Sequence, residues 1–575
     1  MKRHLIAIIS IIFLAAVLRF YKLDSVPAGM QWDEMGYAYN AYSIMETGRD
    51  EWGNRLPLFL KSFGDYKPAL LSYLMIPSFK IFGINDFAAK FPTALLGVLG
   101  IIGFYFINLK LSKKANFAFL SALILAITPW HIHYSKIAFD PIVSLSLLLI
   151  GLFLFISKNK TQTIAGSLVL FLSMYTYNGA RFFVPLIILS YIYIFHKNNL
   201  KKYFQKNTTS LLCLLSGFVI IFGLTIFSPA GSRAKAVFFW DPVEVTTAVE
   251  EGIYRDAILA KPLTRVFNNK PLHLTFQLAD NYASHFSYDY LFANTWQTPA
   301  FAFPRHGHLL LIFLPFLLIG IFASKNTKLK KFYLVWLILS PIASTLTKGD
   351  PNANRSLIMV PAIVFFVSQG IFYTGNLFKR ELLRKAVFLL ITLSVGFNTV
   401  LYAHDYYNFF PEDSATYWHS FYKEAVQEVH NKKSDFSSIY FTNTDTQPYI
   451  FFAWYNLINP ETVQANTDNR DIEHLGGIKE LENISFRSIK KEDLACLLIQ
   501  DNVLVAISSN DGPFFIDRSE KYINIKLLPE KTYYHKNRFH PEKATLELYN
   551  SKSLTALETE YLEDRCASQK PVDKI

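Results

Sequence analysis

Met30-Gln31-Trp32-Asp33-Glu34-Met35-Gly36-Tyr37 opens, and Gly64-Asp65-Tyr66-Lys67-Pro68 closes, a polar stretch set between two apolar runs. Paired carboxylates, flanking aromatics and a lysine therefore sit where the chain leaves a hydrophobic segment. The preceding run, 5–18, follows Lys2 and Arg3 and continues into Arg19, Tyr21 and Lys22 without a small-residue cleavage site. It reads as a spanning helix with its N-terminus cytoplasmic, not as a removable leader. Charge beside lipid is costly, so a charged cluster at that boundary is a candidate functional site.

The 575 residues are 51% hydrophobic and 18% charged, with a formal net charge of +12. Apolar runs of roughly 17 to 22 residues recur through the first two-thirds, long enough to cross a hydrocarbon core as helix. The excess Lys and Arg fall in short clusters between these runs, as the positive-inside rule requires, and not along one soluble face. Membrane lipids are thus the expected surroundings, and nucleic acid is not an expected partner.

Clusters around Lys113, Lys158, Lys201, Lys330 and Arg384 are assigned to the cytoplasmic side. Parity then gives about eleven spans: 5–21, 87–109, 115–131, 141–157, 162–177, 182–196, 209–228, 307–323, 332–347, 356–375 and 386–402. The apolar stretch 69–82 is left as an interfacial helix on the outer surface. The expected organisation is a membrane domain over 1–402, with a first outer loop 22–86 and a large outer loop 228–306. An extracytoplasmic α/β domain over 403–575 follows, with strands at 438–442, 503–507 and 544–549 and a helix at 448–456. Cys496 and Cys566 lie in that tail and can pair if it faces an oxidising space, whereas Cys213 sits in an apolar run.

On this topology several charged and polar side chains face outward together. They are Asp33, Glu34 and Lys67 from the first loop; His131, His133, Lys136 and Asp140 from the second; Tyr177, Asn178 and Arg181 from the third; and Lys348, Asp350 and Arg355 from the fifth. The middles of the spans are nearly free of charge by comparison, which argues against an ion-coupled transporter, whose charges lie near the midplane. A lipid-linked sugar phosphate suits such a site: cations stabilise the departing phosphate, and one ionised carboxylate takes the proton of an attacking hydroxyl. His131, His133 and Asp140 are spaced too loosely to argue for a metal. No cofactor is required.

Trp32-Asp33-Glu34, Gly64-Asp65-Tyr66-Lys67-Pro68, Phe87-Ala88-Ala89-Lys90-Phe91-Pro92, Pro129-Trp130-His131, Ser135-Lys136-Ile137-Ala138-Phe139-Asp140-Pro141 and Tyr175-Thr176-Tyr177-Asn178-Gly179-Ala180-Arg181 together resemble the GT-C glycosyltransferases. The resemblance is to the protein O-mannosyltransferase and aminoarabinose-transferase branch, over about residues 1–360. It implies an α-helical polytopic membrane enzyme of the plasma membrane that inverts the anomeric carbon. The implied donor is a polyprenyl-phosphate sugar, and the acceptor an envelope glycan, lipid or protein. It further implies catalytic roles for Asp33 and Glu34, and phosphate contacts from Lys67, Lys136, Arg181 and Arg355. Substrate contacts would come from Tyr37, Tyr66, Asp140, Tyr177 and Asn178. Lys67 matches the lysine of a Lys-Pro-Pro motif in which Ala69 replaces the second proline, and Lys136 stands where arginine is common. The competing readings are a flippase for lipid-linked saccharides and a non-catalytic envelope-binding protein. The tail is expected to tune acceptor choice, with donor turnover surviving its removal.

Overall fold

The computed structural model describes residues 2–227, 239, 242–256, 261–293, 305–323, 325–349, 351–444, 446–471, 475–508, 529, 531–534 and 544–568. Its chain divides into two compact units, one formed by residues 1–26 and 90–410, the other by 27–89 and 411–575. The sequence places a single cut near residue 403. The chain does divide close to that point, at 410, but the first loop folds with the tail instead of with the membrane helices.

In the first unit a helix stands at each of the eleven positions read as spans, from Lys2–Phe20 to Glu381–Asn408. By length and composition, four among the described residues can cross a membrane: Asp86–Ser112, Asn178–Phe227, Ala353–Asn376 and Glu381–Asn408. The expected span 115–131 is instead broken. Ala115–Ile127 and Pro129–Ser135 meet at an angle of 61°. Pro129 has no N–H to continue the ladder, and the residue before a proline is driven out of the helical region, as Thr128 is at φ −72° and ψ 121°. Close helix packing rests on small residues: a Cβ at Gly320 would collide with the Phe366 carbonyl, and one at Gly370 with the Phe316 carbonyl.

The second unit is built on a six-stranded sheet whose spatial order is Glu480–Leu481, Ile484–Arg487, Ser438–Thr442, Val503–Ser508, Ala544–Asn550 and Lys531–Tyr534. Ser438–Thr442 is central and pairs in parallel with both neighbours, Ile439 lying opposite Ile484 and Leu504. On one face, Val503, Val505 and Ile507 pack into an apolar cluster with Leu494, Leu498 and Leu562. Cys496 and Cys566 are disulfide-bonded across the two helices of that cluster, Lys491–Leu498 and Ala556–Ser568.

Residues 27–89 add a helix, Trp32–Thr47, an antiparallel hairpin of Phe59–Ser62 with Asp65–Pro68, and a second helix, Leu70–Phe82. Ten residues of Trp32–Thr47 are buried, and it packs on Leu70–Phe82, Pro448–Tyr455 and Pro460–Ala465. The hairpin turns at Phe63 and Gly64, whose φ values of 52° and 72° are what a tight two-residue turn needs. Leu70–Phe82 has 13 residues. At ~1.5 Å per residue it is about 20 Å long, short of the ~30 Å hydrocarbon core.

Candidate functional site

The first turn of Trp32–Thr47 separates the two adjacent carboxylates by direction. Successive helical residues point about 100° apart, so Asp33 and Glu34 cannot share a target. Glu34 is fully buried, and its carboxylate accepts from the Gln31 backbone N–H at 3.0 Å, closing the helix start on itself. It caps the helix in the unit's interior, which favours Asp33 over Glu34 for the catalytic role that the resemblance implies for both.

Asp33, about 100° round the helix from Glu34, has its side chain 39% exposed and forms an ion pair with Lys67, whose side chain is 8% exposed. The hairpin register makes this pair possible: Lys67 sits opposite Leu60 in the second strand, two residues past the turn partner Asp65. The ammonium also lies over the rings of Phe63 and Tyr37, at 5.2 and 5.6 Å from their centroids. Trp32 stacks on Phe63 at 5.8 Å. A lysine carries three N–H donors. Among the described residues its recorded acceptor is Asp33, so donors remain for an incoming anion. Of the other anticipated substrate contacts here, Tyr37 is buried beneath this group, and Tyr66, in the hairpin opposite Lys61, is half-buried.

Lys136 answers to a different need. It is fully buried, and its ammonium donates to the carbonyl oxygens of Tyr21 at 2.6 Å, Lys22 at 3.3 Å and Arg19 at 3.4 Å. All three donors are spent on carbonyls at and just past the end of the first helix, Lys2–Phe20, an arrangement that serves capping and leaves no donor for the anticipated phosphate. Lys136→Met should then lower stability by about 1–3 kcal/mol, the cost of leaving buried acceptors unmet. Thermal unfolding and lipid-phosphate binding, measured on the same preparation, check this. Weakened lipid binding with unaltered unfolding would return Lys136 to the phosphate.

Arg181 donates to the Met174 carbonyl at 3.3 Å and the Thr225 hydroxyl at 2.7 Å, tying the start of Asn178–His196 to the ends of Lys160–Thr176 and Leu200–Phe227. Arg355 donates to the Thr347 hydroxyl at 2.6 Å and the Lys348 carbonyl at 3.2 Å. Asp140 occupies the first position of Asp140–Phe155, Tyr177 the N-cap of Asn178–His196, and Asn178 is exposed at that helix's first position. Asp350 lies outside the described residues, as do 228–238, 240–241, 257–260 and 294–304 of the large outer loop. His131 accepts the Arg19 guanidinium at 2.8 Å and His133 meets the Tyr406 hydroxyl at 3.0 Å, so both imidazoles are engaged in packing.

The sequence reading missed a fully buried ion pair between Glu51 and Arg470, 3.3 Å apart. Asn40, Ser62 and Tyr449 also bond the Glu51 carboxylate. Burial and then the Glu51 charge push the Tyr449 phenol well above its ordinary range, which keeps it protonated and donating. Burial likewise raises the neighbouring Asp50 carboxyl, against the hydrogen bonds it accepts from Asn54 and Trp52.

Residues 9–177 match the family model described as dolichyl-phosphate-mannose-protein mannosyltransferase. An uncharacterized protein of Aquifex aeolicus (strain VF5) is 24% identical over 227 residues, which cover 39% of this chain and 44% of that protein. The chain thus matches under half the length of that relative. Among solved structures, ArnT from Cupriavidus metallidurans bound to undecaprenyl phosphate superposes with a TM-score of 0.50 at 12% identity, over 96% of this chain and 98% of that one. The apo oligosaccharyltransferase of Archaeoglobus fulgidus gives 0.49 at 13% identity, over 88% and 69%.

Proposed function

We propose that this chain, a membrane glycosyltransferase of the GT-C superfamily, moves a sugar from a polyprenyl-phosphate donor to an envelope glycan, lipid or protein acceptor on the extracytoplasmic side. The observation that carries the reading is the Asp33–Lys67 pair: a half-open carboxylate held by a lysine that keeps donors for an anion. The family description names a lipid-phosphate sugar, and the ArnT of similar fold was solved with undecaprenyl phosphate.

In the resting chain Lys67 neutralises Asp33. An arriving donor phosphate competes for the ammonium, so donor binding both charges the leaving-group site and frees the carboxylate. The acceptor hydroxyl attacks the anomeric carbon as the bond to the phosphate oxygen breaks. Its proton passes to Asp33, and the electron pair leaves on the lipid phosphate beside Lys67. Attack opposite the leaving group inverts the anomeric centre.

The same reading keeps the topology proposed from the basic clusters: about eleven spans, the N-terminus cytoplasmic and the tail outside. The Cys496–Cys566 bond supports an oxidising environment for the tail.

Purified protein offered polyprenyl-phosphate sugars should release polyprenyl phosphate and glycosylate an acceptor. Lys67→Met should weaken donor binding by about 1.5–3 kcal/mol, the range for a hydrogen bond to a charged group. That is roughly a 10- to 150-fold rise in Kd. Unchanged donor affinity and turnover in this variant would reduce Lys67 to a partner of Asp33 and remove the phosphate assignment.

A further inference from the structure

We infer that Glu51 and Arg470 are positioning residues for the Asp33–Lys67 pair, so that the C-terminal domain is a working part of the catalytic unit and not an acceptor-binding appendage. The inference deepens the transfer reading above and rests on it. Its starting point is the number of segments that end on one buried carboxylate. Oε1 of Glu51 accepts from Asn40 at 3.1 Å and from Ser62 at 2.8 Å. Oε2 accepts from Tyr449 at 3.0 Å and from Arg470 at 3.3 and 3.4 Å. The Glu51 carbonyl takes a further Arg470 donor at 3.0 Å, and its N–H donates to Asn40 at 2.9 Å. A carboxylate offers about four acceptor sites, and these partners use them.

Each partner leads back to the pair. Asn40 also donates to the Gly36 carbonyl at 2.7 Å, which fixes the helix one turn from Asp33. Ser62 ends the strand whose partner strand carries Lys67, and it lies opposite Asp65. The Tyr449 ring contacts Phe63 at 6.2 Å, and Phe63 is the ring that underlies Lys67 and stacks with Trp32. Arg470 is clamped between Trp52, at 4.0 Å from the ring centroid, and Glu51. The helix bearing the carboxylate and the hairpin bearing the lysine are thus each pinned to the same anchor, and half of that anchor comes from residues 449 and 470.

The geometry demands this much support because Asp33 and Lys67 stand 34 residues apart on elements with different freedoms. A misplacement of about 1 Å at reacting groups costs on the order of 100-fold in rate. Neutralising Glu51 leaves the Arg470 charge buried without its partner, and the hairpin and helix lose their common tether.

The test compares full-length Glu51→Gln and Arg470→Lys with Val505→Ala, a cavity in the apolar cluster on the sheet that takes no part in this network. All are measured below their own melting temperatures. Glu51→Gln should lower kcat about 100-fold while KM for the lipid donor stays within about threefold, and Arg470→Lys should fall between it and wild type. Hydrogen exchange should accelerate at 32–40 and 59–68 in Glu51→Gln and not in Val505→Ala. If kcat follows melting temperature equally in all three variants, or if exchange at 32–40 and 59–68 matches wild type in Glu51→Gln, the positioning role is overturned. The exchange measurement needs no turnover. A wild type that transfers no sugar would therefore defeat the transfer reading while exchange still decides whether Glu51 holds the pair.

Discussion

Asp33→Asn is expected to cut sugar transfer by roughly 100- to 10,000-fold, the range that general-base catalysis supplies, while donor Kd changes by no more than a few-fold. The amide keeps the size and one acceptor oxygen, so Lys67 keeps a hydrogen-bond partner, but it cannot take the hydroxyl proton. The lysine gains freedom to meet the phosphate, so donor affinity should hold or improve slightly. This separates Asp33→Asn from Lys67→Met, in which affinity is lost. Glu34→Gln makes a third case. Glu34 is buried and accepts the Gln31 N–H, so the substitution should act through the helix start, at about the 1 kcal/mol scale of cap replacements. Its turnover should stay within about tenfold of wild type. Single-turnover rates with pre-bound donor, alongside equilibrium donor binding, are the measurements needed. Near-normal transfer by Asp33→Asn would move the base elsewhere, and a Glu34→Gln defect of equal size would mean that the pair acts together.

The contrast between these carboxylates marks how far the sequence could be read. Apolar run length and basic clusters located the long apolar helices of the first unit, because burial against lipid is written locally in composition, but they gave no sign of Pro242–Arg255, Lys261–Phe267 and Lys270–Ser284. The break at Thr128-Pro129 was equally local, and legible in principle from proline's missing donor. Asp33 and Lys67 were singled out by residue type and by resemblance, and the structure brings them together. What sequence could not distinguish was the partner of a cation. Lys136 and Lys67 look alike as lysines at the mouth of a span, yet one meets three carbonyls and the other a carboxylate. Nor could it reveal Glu51 and Arg470, which lie 419 residues apart and carry no local signature beyond being charged. A buried Arg470 between Trp52 and Tyr449 is a consequence of tertiary packing alone.

That packing reverses the outcome expected of truncation. Removing residues 411–575 should abolish donor turnover, although no atom proposed to touch the donor belongs to that segment. The helix carrying Asp33 would lose Pro448–Tyr455 and Pro460–Ala465 from its buried face. The hydrogen bond from Tyr39 to the Ile458 carbonyl, at 2.9 Å, would go with them. So would the bonds that Gln464 makes to Ser43, Thr47 and the Asp50 carbonyl. Asp86 would lose Trp454, its partner at 2.8 Å. Glu51 would be stripped of Tyr449 and Arg470, and removing one partner of a buried ion pair costs about 3–5 kcal/mol by itself. Folded domains hold only about 5–15 kcal/mol in reserve, so the 63 residues of 27–89 cannot keep the Asp33–Lys67 geometry alone. The expected phenotype is a truncated protein whose membrane helices still insert, whose 27–89 segment is cut readily by added protease, and whose release of polyprenyl phosphate is undetectable. Donor turnover within tenfold of the full chain, with 27–89 protease-resistant, would show that the first loop folds without the tail and would restore the tail to a role in acceptor choice alone.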